Sequence, residues 1–280
     1  MKKNKIGIYG LRGSYTHQAA VNILKEKKIN TEQIDFVELP KAPDLLNFLK
    51  KGNEIIFPIE NSTGGIVTQI LDLLPEYEID ILNEYQMQIS HCLLAKKNTK
   101  KIEKVYSHPQ SLLQCSGFIE KNKLEEVADI DNSVAAKNIS QMGGKNIGAI
   151  GGEILAELYG LKILKKSIQN NKENITRFFV ARKKGKKTEI SKKIESKEKK
   201  KISMIFETKS VPGVLYKSLG SFAIHGLNLT HISSRPLKNG KKFYYFFYVE
   251  FEGQLNDKNV KIALEELKCF TERIEVLGNY

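Results

Sequence analysis

Ile6-Gly7-Ile8-Tyr9-Gly10-Leu11-Arg12-Gly13-Ser14-Tyr15-Thr16-His17 starts the first folded segment, and its order of residue types decides the fold class. A short apolar run precedes two glycines and hydroxyl side chains of the kind that begin helices, which predicts a strand over 6–9 and a helix over 17–27. The same alternation follows, with strands over 34–39 and 55–57 and helices over 43–51 and 66–74. This rhythm indicates an α/β fold with a parallel sheet covered by helices on both faces.

A second α/β segment follows the first. Its expected elements are an extended stretch over 85–94, strands over 105–106, 127–130 and 147–150, and helices over 110–120, 133–140 and 156–159. We expect the chain to return to the first lobe near Ile163-Leu164. An N-terminal domain over 1–182 would then have two lobes, 1–85 with 163–182 and 86–162, around a ligand-binding cleft.

The last part of the chain predicts a separate small domain. Residues 183–201 hold ten Lys and three Glu with few apolar side chains, which is typical of a solvated linker. After it we expect strands over 202–206, 227–233, 243–251 and 273–277, with helices over 211–222 and 260–267. The order β-α-β-β-α-β is the split βαβ arrangement of ferredoxin-like domains, here over 202–280.

Composition narrows the classes of function. The hydrophobic content of 41% and charged content of 28% indicate a packed globular protein. The net charge of +13 suggests nucleic acid, but more than half of it lies in 183–201, and no DNA- or RNA-binding pattern accompanies it. Three widely spaced cysteines, with no signal peptide or membrane span, favour a cytoplasmic protein without a disulfide framework, metal, cofactor or membrane partner.

Asn174-Ile175-Thr176-Arg177-Phe178 precedes the apolar run 178–181, which predicts a buried strand with a site at its entrance. The amide can bind an anionic ligand, the hydroxyl can donate a proton to it, and the guanidinium can clamp it. A loop with a salt bridge is the alternative for such a short pattern.

Two more clusters are helix starts that carry hydroxyl groups. Ser14 and Thr16 stand beside free N–H groups of the first helix, which makes an anion site, with an N-cap turn as the alternative. Asn132 and Ser133 begin another helix at the same inferred cleft, again with a plain N-cap as the alternative. We expect all four to be candidate substrate-binding residues.

The remaining clusters end a strand or begin a helix. Glu60 and Asn61 end the third strand, where ligands bind in such sheets, and Glu60 is expected to be an acid/base group or a ligand-orienting acceptor. Ser62 binds the ligand or caps the next helix, and Ser107 and Gln114 belong to a helix start in the second segment. Together the clusters predict a site that holds a small polyanion and passes one proton.

These segments, in this order, resemble prephenate dehydratase with a C-terminal ACT regulatory domain. The resemblance is carried by Gly10–His17, Pro58–Gly65, Ser107–Cys115, Ala149–Leu161 and Asn174–Phe178, the last containing the family's Thr-Arg-Phe signature. It implies a two-lobed fold of the periplasmic-binding-protein type that converts prephenate to phenylpyruvate in phenylalanine synthesis. It implies Thr176 as the central catalytic hydroxyl, aided by Glu60 and Arg177, with Asn174 and Phe178 among the substrate-binding residues.

The C-terminal resemblance implies regulation. Pro212-Gly213-Val214-Leu215 resembles the Gly-Ala-Leu turn of ACT domains, and Asn228-Leu229 with Ser233-Ser234-Arg235-Pro236 resembles their Glu-Ser-Arg-Pro segment. These residues are then expected to bind phenylalanine at a subunit interface of a homo-oligomer, a dimer or a tetramer. Ser233 stands where the family usually has Glu, and Val214 where it has Ala, which leaves the strength and sign of regulation open.

Three other functions are open at this point. A two-lobed α/β protein can be a solute-binding module, or the same chemistry can act on arogenate, the aminated form of prephenate. The C-terminal domain can also work as an amino-acid sensor. No segment before residue 6 is long enough for a fused chorismate mutase, so we expect a monofunctional enzyme.

Overall fold

A computed structural model describes residues 4–144, 146–237 and 244–280. Its strands are β1 (Asn4–Tyr9), β2 (Ile34–Leu39), β3 (Glu54–Asn61), β4 (Gly65–Ile66), β5 (Ile79–Gln88), β6 (Cys92–Ala95), β7 (Lys104–Ser107), β8 (Glu125–Ala128), β9 (Ile147–Gly151), β10 (Lys162–Lys165), β11 (Ile175–Lys183), β12 (Lys201–Thr208), β13 (Leu229–Pro236), β14 (Tyr245–Glu252) and β15 (Thr271–Asn279). Its helices are α1 (Tyr15–Glu26), α2 (Ala42–Lys50), α3 (Thr68–Leu71), α4 (Pro109–Gln114), α5 (Ser116–Lys121), α6 (Asn132–Gln141), α7 (Ile154–Tyr159), α8 (Glu189–Ile194), α9 (Val214–Ile224) and α10 (Lys258–Lys268). Phe243, the first residue of one predicted strand, lies outside the described residues.

The chain divides into two compact units that do not follow the sequence order. The first unit comprises Met1–Leu45, Ile56–Val67 and Tyr85–Phe178, and the second comprises Leu46–Ile55, Thr68–Glu84 and Phe179–Tyr280. Strands β3, β5 and β11 each contribute residues to both units.

The first unit contains the predicted α/β architecture. β1 pairs in parallel with β2, and β3 lies between β1 and β11. A five-stranded sheet has the order β10-β6-β9-β7-β8, in which β7 is parallel to both β8 and β9. Small side chains on one face of α6 (Ala135, Ala136) pack with Leu94 and Ala149 of this sheet, so that the helix covers it closely. The predicted α/β class is confirmed.

The expected return of the chain near Ile163-Leu164 is wrong. These residues belong to β10, which pairs antiparallel with β6 and places Ile163 opposite Leu94 in the five-stranded sheet. Hydrogen bonds to this neighbouring sheet edge keep the segment within the second lobe, because each buried backbone N–H and C=O group needs a partner. The chain rejoins β3 only at β11.

Two predicted helices are shorter in the structure. The helix expected over 110–120 is divided into α4 and α5 at Cys115, whose φ of −112° and ψ of 11° depart from helical values. The helix expected over 66–74 is reduced to α3, since Gly65 and Ile66 pair instead with the end of β3.

The second unit holds the C-terminal βαββαβ arrangement that the sequence predicts. Its strands follow the antiparallel order β13-β14-β12-β15, and β15 runs beside β5. Phe206, Phe222 and Phe251 are fully buried in the core beneath α9 and α10. At the β15–β5 contact a Cβ on Gly278 would lie 2.5 Å from the Ile81 carbonyl oxygen, so only glycine fits there.

The Lys-rich tract 183–201 is not the solvated linker that its composition suggests. It contains α8, which begins with a capping box formed by Thr188 and Ser191. Ile190 and Ile194 of this helix are buried, which packs the helix into the second unit. The high Lys content of this tract favoured the interpretation as a linker over a packed helix.

Candidate active site

The end of β3 and the start of β11 bring four predicted residues together in two pairs. The Nδ2 group of Asn61 donates to Thr176 Oγ1 at 2.8 Å, and Arg177 Nη1 donates to Glu60 Oε2 at 2.7 Å. Successive side chains of a strand point to opposite faces. Asn61 and Thr176 therefore share one face, and the Glu60–Arg177 ion pair occupies the other.

A cavity of about 400 Å³ opens on the face that carries Asn61 and Thr176. Its wall is formed by Tyr15, Asn61, Gly64, Gly65, Ile66, Val67, Ile89, His91, His108, Gln110, Ser111, Gln114, Asp131, Asn132, Asn174 and Thr176, all in the first unit. Glu60 and Arg177 are not part of this wall. The alternation of the strands turns them away from the cavity and pairs them with each other, and their expected roles as acid and carboxylate clamp stay predictions.

Asn61 fixes the direction of the Thr176 hydroxyl. Its Oδ1 accepts hydrogen bonds from the backbone N–H groups of Thr63 (3.0 Å) and Gly64 (2.8 Å). The Nδ2 group must then face Asn174 Oδ1 at 2.6 Å and Thr176 Oγ1 at 2.8 Å. Thr176 thus receives a hydrogen from Asn61, and no other described residue accepts its own proton. A ligand in the cavity can take that proton as a hydrogen bond.

A buried chain of hydrogen bonds forms another part of the wall. Tyr15 Oη lies 2.7 Å from His91 Nδ1, and His91 Nε2 lies 2.7 Å from Gln114 Oε1. Burial raises the pKa of Tyr15 well above its ordinary value and lowers the pKa of His91, against a smaller opposing effect of the Gln114 hydrogen bond. Neutral His91 with its proton on Nε2 satisfies both contacts and leaves the Gln114 NH₂ group for a ligand.

Tyr15 and His91 were not predicted as site residues. Tyr15 lies inside the Gly10–His17 cluster, in which the sequence predicts an anion site formed by Ser14 and Thr16. His91 lies between β5 and β6, in a segment without periodicity or a recognisable motif. Its only signal in the sequence is a histidine close to the end of a strand, which is weak evidence by itself.

Asn132 lines the cavity, and Ser107 supports it from inside the protein. Ser107 is fully buried, and its Oγ lies 2.8 Å from Asn132 Oδ1 and 2.7 Å from the Ile150 carbonyl oxygen. Asn132 Oδ1 also accepts from the His108 backbone N–H at 3.1 Å, while its Nδ2 donates to Ser111 Oγ at 2.9 Å. These contacts let Ser107 hold the Asn132 side chain in place, and its direct contact with substrate stays a prediction.

The residues at the start of α1 act as helix-capping groups. Ser14 Oγ accepts from the His17 backbone N–H at 3.3 Å, and neither Ser14 nor the buried Thr16 belongs to the cavity wall. His17 Nδ1 accepts from the Gly13 backbone N–H at 3.1 Å. Burial, helped by the charge of Arg12, lowers the pKa of His17 to about 4, so this ring stays neutral near pH 7. The N-cap alternative describes this segment.

Three other predicted substrate-binding residues also lie outside the cavity wall. Ser62 Oγ accepts from the Ile175 backbone N–H at 2.9 Å and so holds the start of β11. Ser133 donates from its Oγ to Asp131, the residue that caps α6. Phe178 is buried in the core beside Met87. Of the residues predicted for the site, the structure brings five to one cavity, namely Asn61, Gln114, Asn132, Asn174 and Thr176.

The cavity wall is polar but carries almost no fixed charge. It offers amide, hydroxyl and imidazole groups, with Asp131 as an acidic side chain and no Lys or Arg among its described members. Across residues 4–144, 146–237 and 244–280, no three His, Cys, Asp or Glu side chains are grouped to hold a metal ion. None of the helices in these ranges has the length and apolar character needed to cross a membrane.

The chain is similar to known proteins over its whole described length. A family model described as prephenate dehydratase matches residues 6–186. A prephenate dehydratase of Methanocaldococcus jannaschii is 35% identical, covering 99% of this chain and 98% of that protein. An Arabidopsis thaliana chloroplastic protein named arogenate dehydratase/prephenate dehydratase 2 is 33% identical, covering 99% of this chain and 72% of that protein.

Solved structures share the same fold. GqqA, described as a quorum quenching acylase, has a TM-score of 0.83 and 26% identity over 98% of this chain and 97% of its own. A prephenate dehydratase of Arthrobacter aurescens in complex with L-Phe has a TM-score of 0.81 and 24% identity over 99% and 89%. The family match and the full-length archaeal relative show that this chain belongs to the prephenate dehydratase family of hydro-lyases.

Proposed function

We propose that this chain converts prephenate to phenylpyruvate, carbon dioxide and water in phenylalanine synthesis, with Thr176 as the central catalytic group. The proton of the Thr176 hydroxyl, which Asn61 leaves free for the cavity, carries this assignment. Asn132 and Gln114 are proposed to bind substrate through their side-chain amides, and Asn174 to help orient Asn61 through the hydrogen bond to its Nδ2.

The reaction needs little from the protein beyond orientation and one donor. The ring carboxylate leaves as carbon dioxide, its bonding electrons move through the ring, and the ring hydroxyl departs with a proton as water. A hydrogen bond from Thr176 stabilises the charge that develops on the departing oxygen. One such preorganised donor contributes about 10²–10³-fold in rate. The remaining acceleration comes from holding the substrate in a reactive orientation.

Thr176→Val is the sharpest test, since valine keeps the shape of the side chain and removes the hydroxyl. We expect kcat for phenylpyruvate formation to fall by about 10²–10³-fold with a small change in KM. Thr176→Ser, which keeps the hydroxyl, is the matched control and should retain most of the activity. A Thr176→Val variant with near-normal kcat would exclude the proposed role.

Regulation by phenylalanine is a second part of the proposal. We propose a catalytic domain over 1–182 and an ACT domain over 202–280 that binds L-Phe between copies of the chain in a cytoplasmic homo-oligomer. The βαββαβ order and the positive φ of Gly213 (72°), at the turn before α9, support it. The A. aurescens relative was solved with L-Phe.

An ion pair holds the segment of β13 that we propose to be regulatory. Arg235 makes a two-point ion pair with Asp72, at 2.5 Å and 2.9 Å. Turnover of prephenate and sedimentation velocity, each with and without L-Phe, test the proposal. A rate and an assembly state that are both unaffected by saturating L-Phe would contradict it.

Arogenate remains a second candidate substrate, because the A. thaliana relative is named for both activities. Both substrates lose carbon dioxide and water from the same ring, so Thr176 would serve each in the same way. They differ in the side chain, which is a keto acid in prephenate and an amino acid in arogenate. Comparing kcat/KM for the two substrates decides the preference.

A further inference from the structure

We infer that Asp131 is a specificity-determining residue, whose carboxylate binds the ammonium group of an aminated substrate such as arogenate. This inference rests on the proposed function, because it concerns the non-reacting end of the substrate in the same cavity. It assigns to Asp131 a role in addition to capping α6.

The described residues that bond to Asp131 use one of its two carboxylate oxygens. Oδ1 accepts from the Ser133 backbone N–H at 2.7 Å and from Ser133 Oγ at 2.6 Å. Within the described chain, Oδ2 has no hydrogen-bond partner, and no cation approaches Asp131 within ion-pair distance. An N-cap needs a single acceptor oxygen, which an Asn side chain supplies equally well. The second oxygen is therefore available to a ligand in the cavity that Asp131 lines.

The charge of the cavity wall points to the chemistry of that ligand. No Lys or Arg is among the described lining residues, and burial disfavours the charged form of His91. A carboxylate in such a wall attracts an ammonium group and gains nothing from the uncharged ketone of prephenate. It also repels a substrate carboxylate placed beside it, which orients the amino-acid side chain with its ammonium group towards Asp131.

Asp131→Asn isolates this interaction, because the amide keeps the cap on α6 and removes the charge. We expect wild type to turn over arogenate, and the variant to lose about tenfold or more in kcat/KM for arogenate, because a charge-assisted hydrogen bond to a half-buried carboxylate is lost. The ratio of kcat/KM for arogenate to kcat/KM for prephenate should therefore fall by about tenfold or more, since the ketone of prephenate forms no ion pair with Asp131 and its neighbouring carboxylate is no longer repelled.

Asp129→Asn is the matched control. Asp129 lies two residues before Asp131 in the sequence, accepts a hydrogen bond from Asn138 and does not line the cavity. The variant therefore removes the same charge without touching the site. This control should leave the ratio of the two kcat/KM values unchanged, which separates a local contact from the general field of the protein.

The outcomes separate the inference from the proposed function. Equal losses for both substrates in Asp131→Asn, or the same ratio change in Asp129→Asn, refute the specificity role. Wild-type turnover of prephenate but not of arogenate also refutes it and leaves the proposed function intact. If wild type turns over neither substrate, the proposed function fails and the inference fails with it.

Discussion

Asn61→Asp should inactivate the enzyme although the two side chains have the same shape. The introduced aspartate keeps an oxygen for the N–H groups of Thr63 and Gly64 but presents a second oxygen to Thr176 Oγ1, 2.8 Å away, where Asn61 presents a donor. The Thr176 proton then turns towards the new carboxylate and away from the substrate. Loss of this one donor lowers kcat by about 10²–10³-fold, or about 3–4 kcal/mol of transition-state stabilisation.

The assay is steady-state formation of phenylpyruvate by Asn61→Asp and Asn61→Ala at low and high salt. In Asn61→Ala no new acceptor captures the Thr176 proton, so kcat should fall less than in Asn61→Asp. Simple repulsion between a new carboxylate and an anionic substrate would instead raise KM and weaken as salt screens the charges. Far-ultraviolet circular dichroism checks that both variants fold.

The result that refutes this reasoning is an Asn61→Asp enzyme with kcat equal to or above that of Asn61→Ala. Thr176 would then not depend on Asn61 for the direction of its proton. A defect in Asn61→Asp that is confined to KM and disappears at high salt would lead to the same conclusion.

Three further predictions concern residues around the site and in α8. His17 has a pKa of about 4 in the folded protein, against 6.5 ordinarily, so the unfolded chain takes up a proton at a higher pH than the folded one. The free energy of unfolding, measured by urea titration, should therefore fall by about 2 kcal/mol from pH 7 to pH 5, and by less in His17→Asn. Ile194→Ala should lower the free energy of unfolding by about 2–5 kcal/mol, because it removes a buried side chain. The exposed Lys193→Ala should change it by less than about 0.5 kcal/mol, and equal effects of the two changes would mean that α8 is not packed. Ser107→Ala should reduce kcat/KM by about five- to tenfold through loosening of Asn132, and an unchanged value would remove its positioning role.

The sequence identified the strand ends that form the site but not the faces of those strands. Glu60 and Asn61 are adjacent in the sequence, and the side chain of either one can bind a ligand. The same holds for Thr176 and Arg177. Which member of each pair faces the cavity depends on how β3 and β11 lie side by side, and strand pairing between distant segments is not readable from either segment alone.

Other parts of the site and fold were beyond local patterns. His91 is held in the cavity wall by hydrogen bonds with Tyr15 and Gln114, which come from α1 and α4, so its place there is set only once these elements have packed. The position of β10 depends on an available edge at β6, and a short apolar run cannot show which edge it will join. The helix-capping alternative for Ser14 was readable, because an N-cap depends only on nearby residues.

Asn61 and Thr176 are separated by 115 positions along the chain, yet they share the hydrogen bond on which the proposed chemistry depends. During synthesis on the ribosome, this bond cannot exist until the segment that follows residue 174 has emerged. Contacts between such distant segments form slowly, since a long loop must close first. In refolding experiments, recovery of catalysis should therefore lag behind recovery of helix content, and the nascent polypeptide should be inert until this late closure.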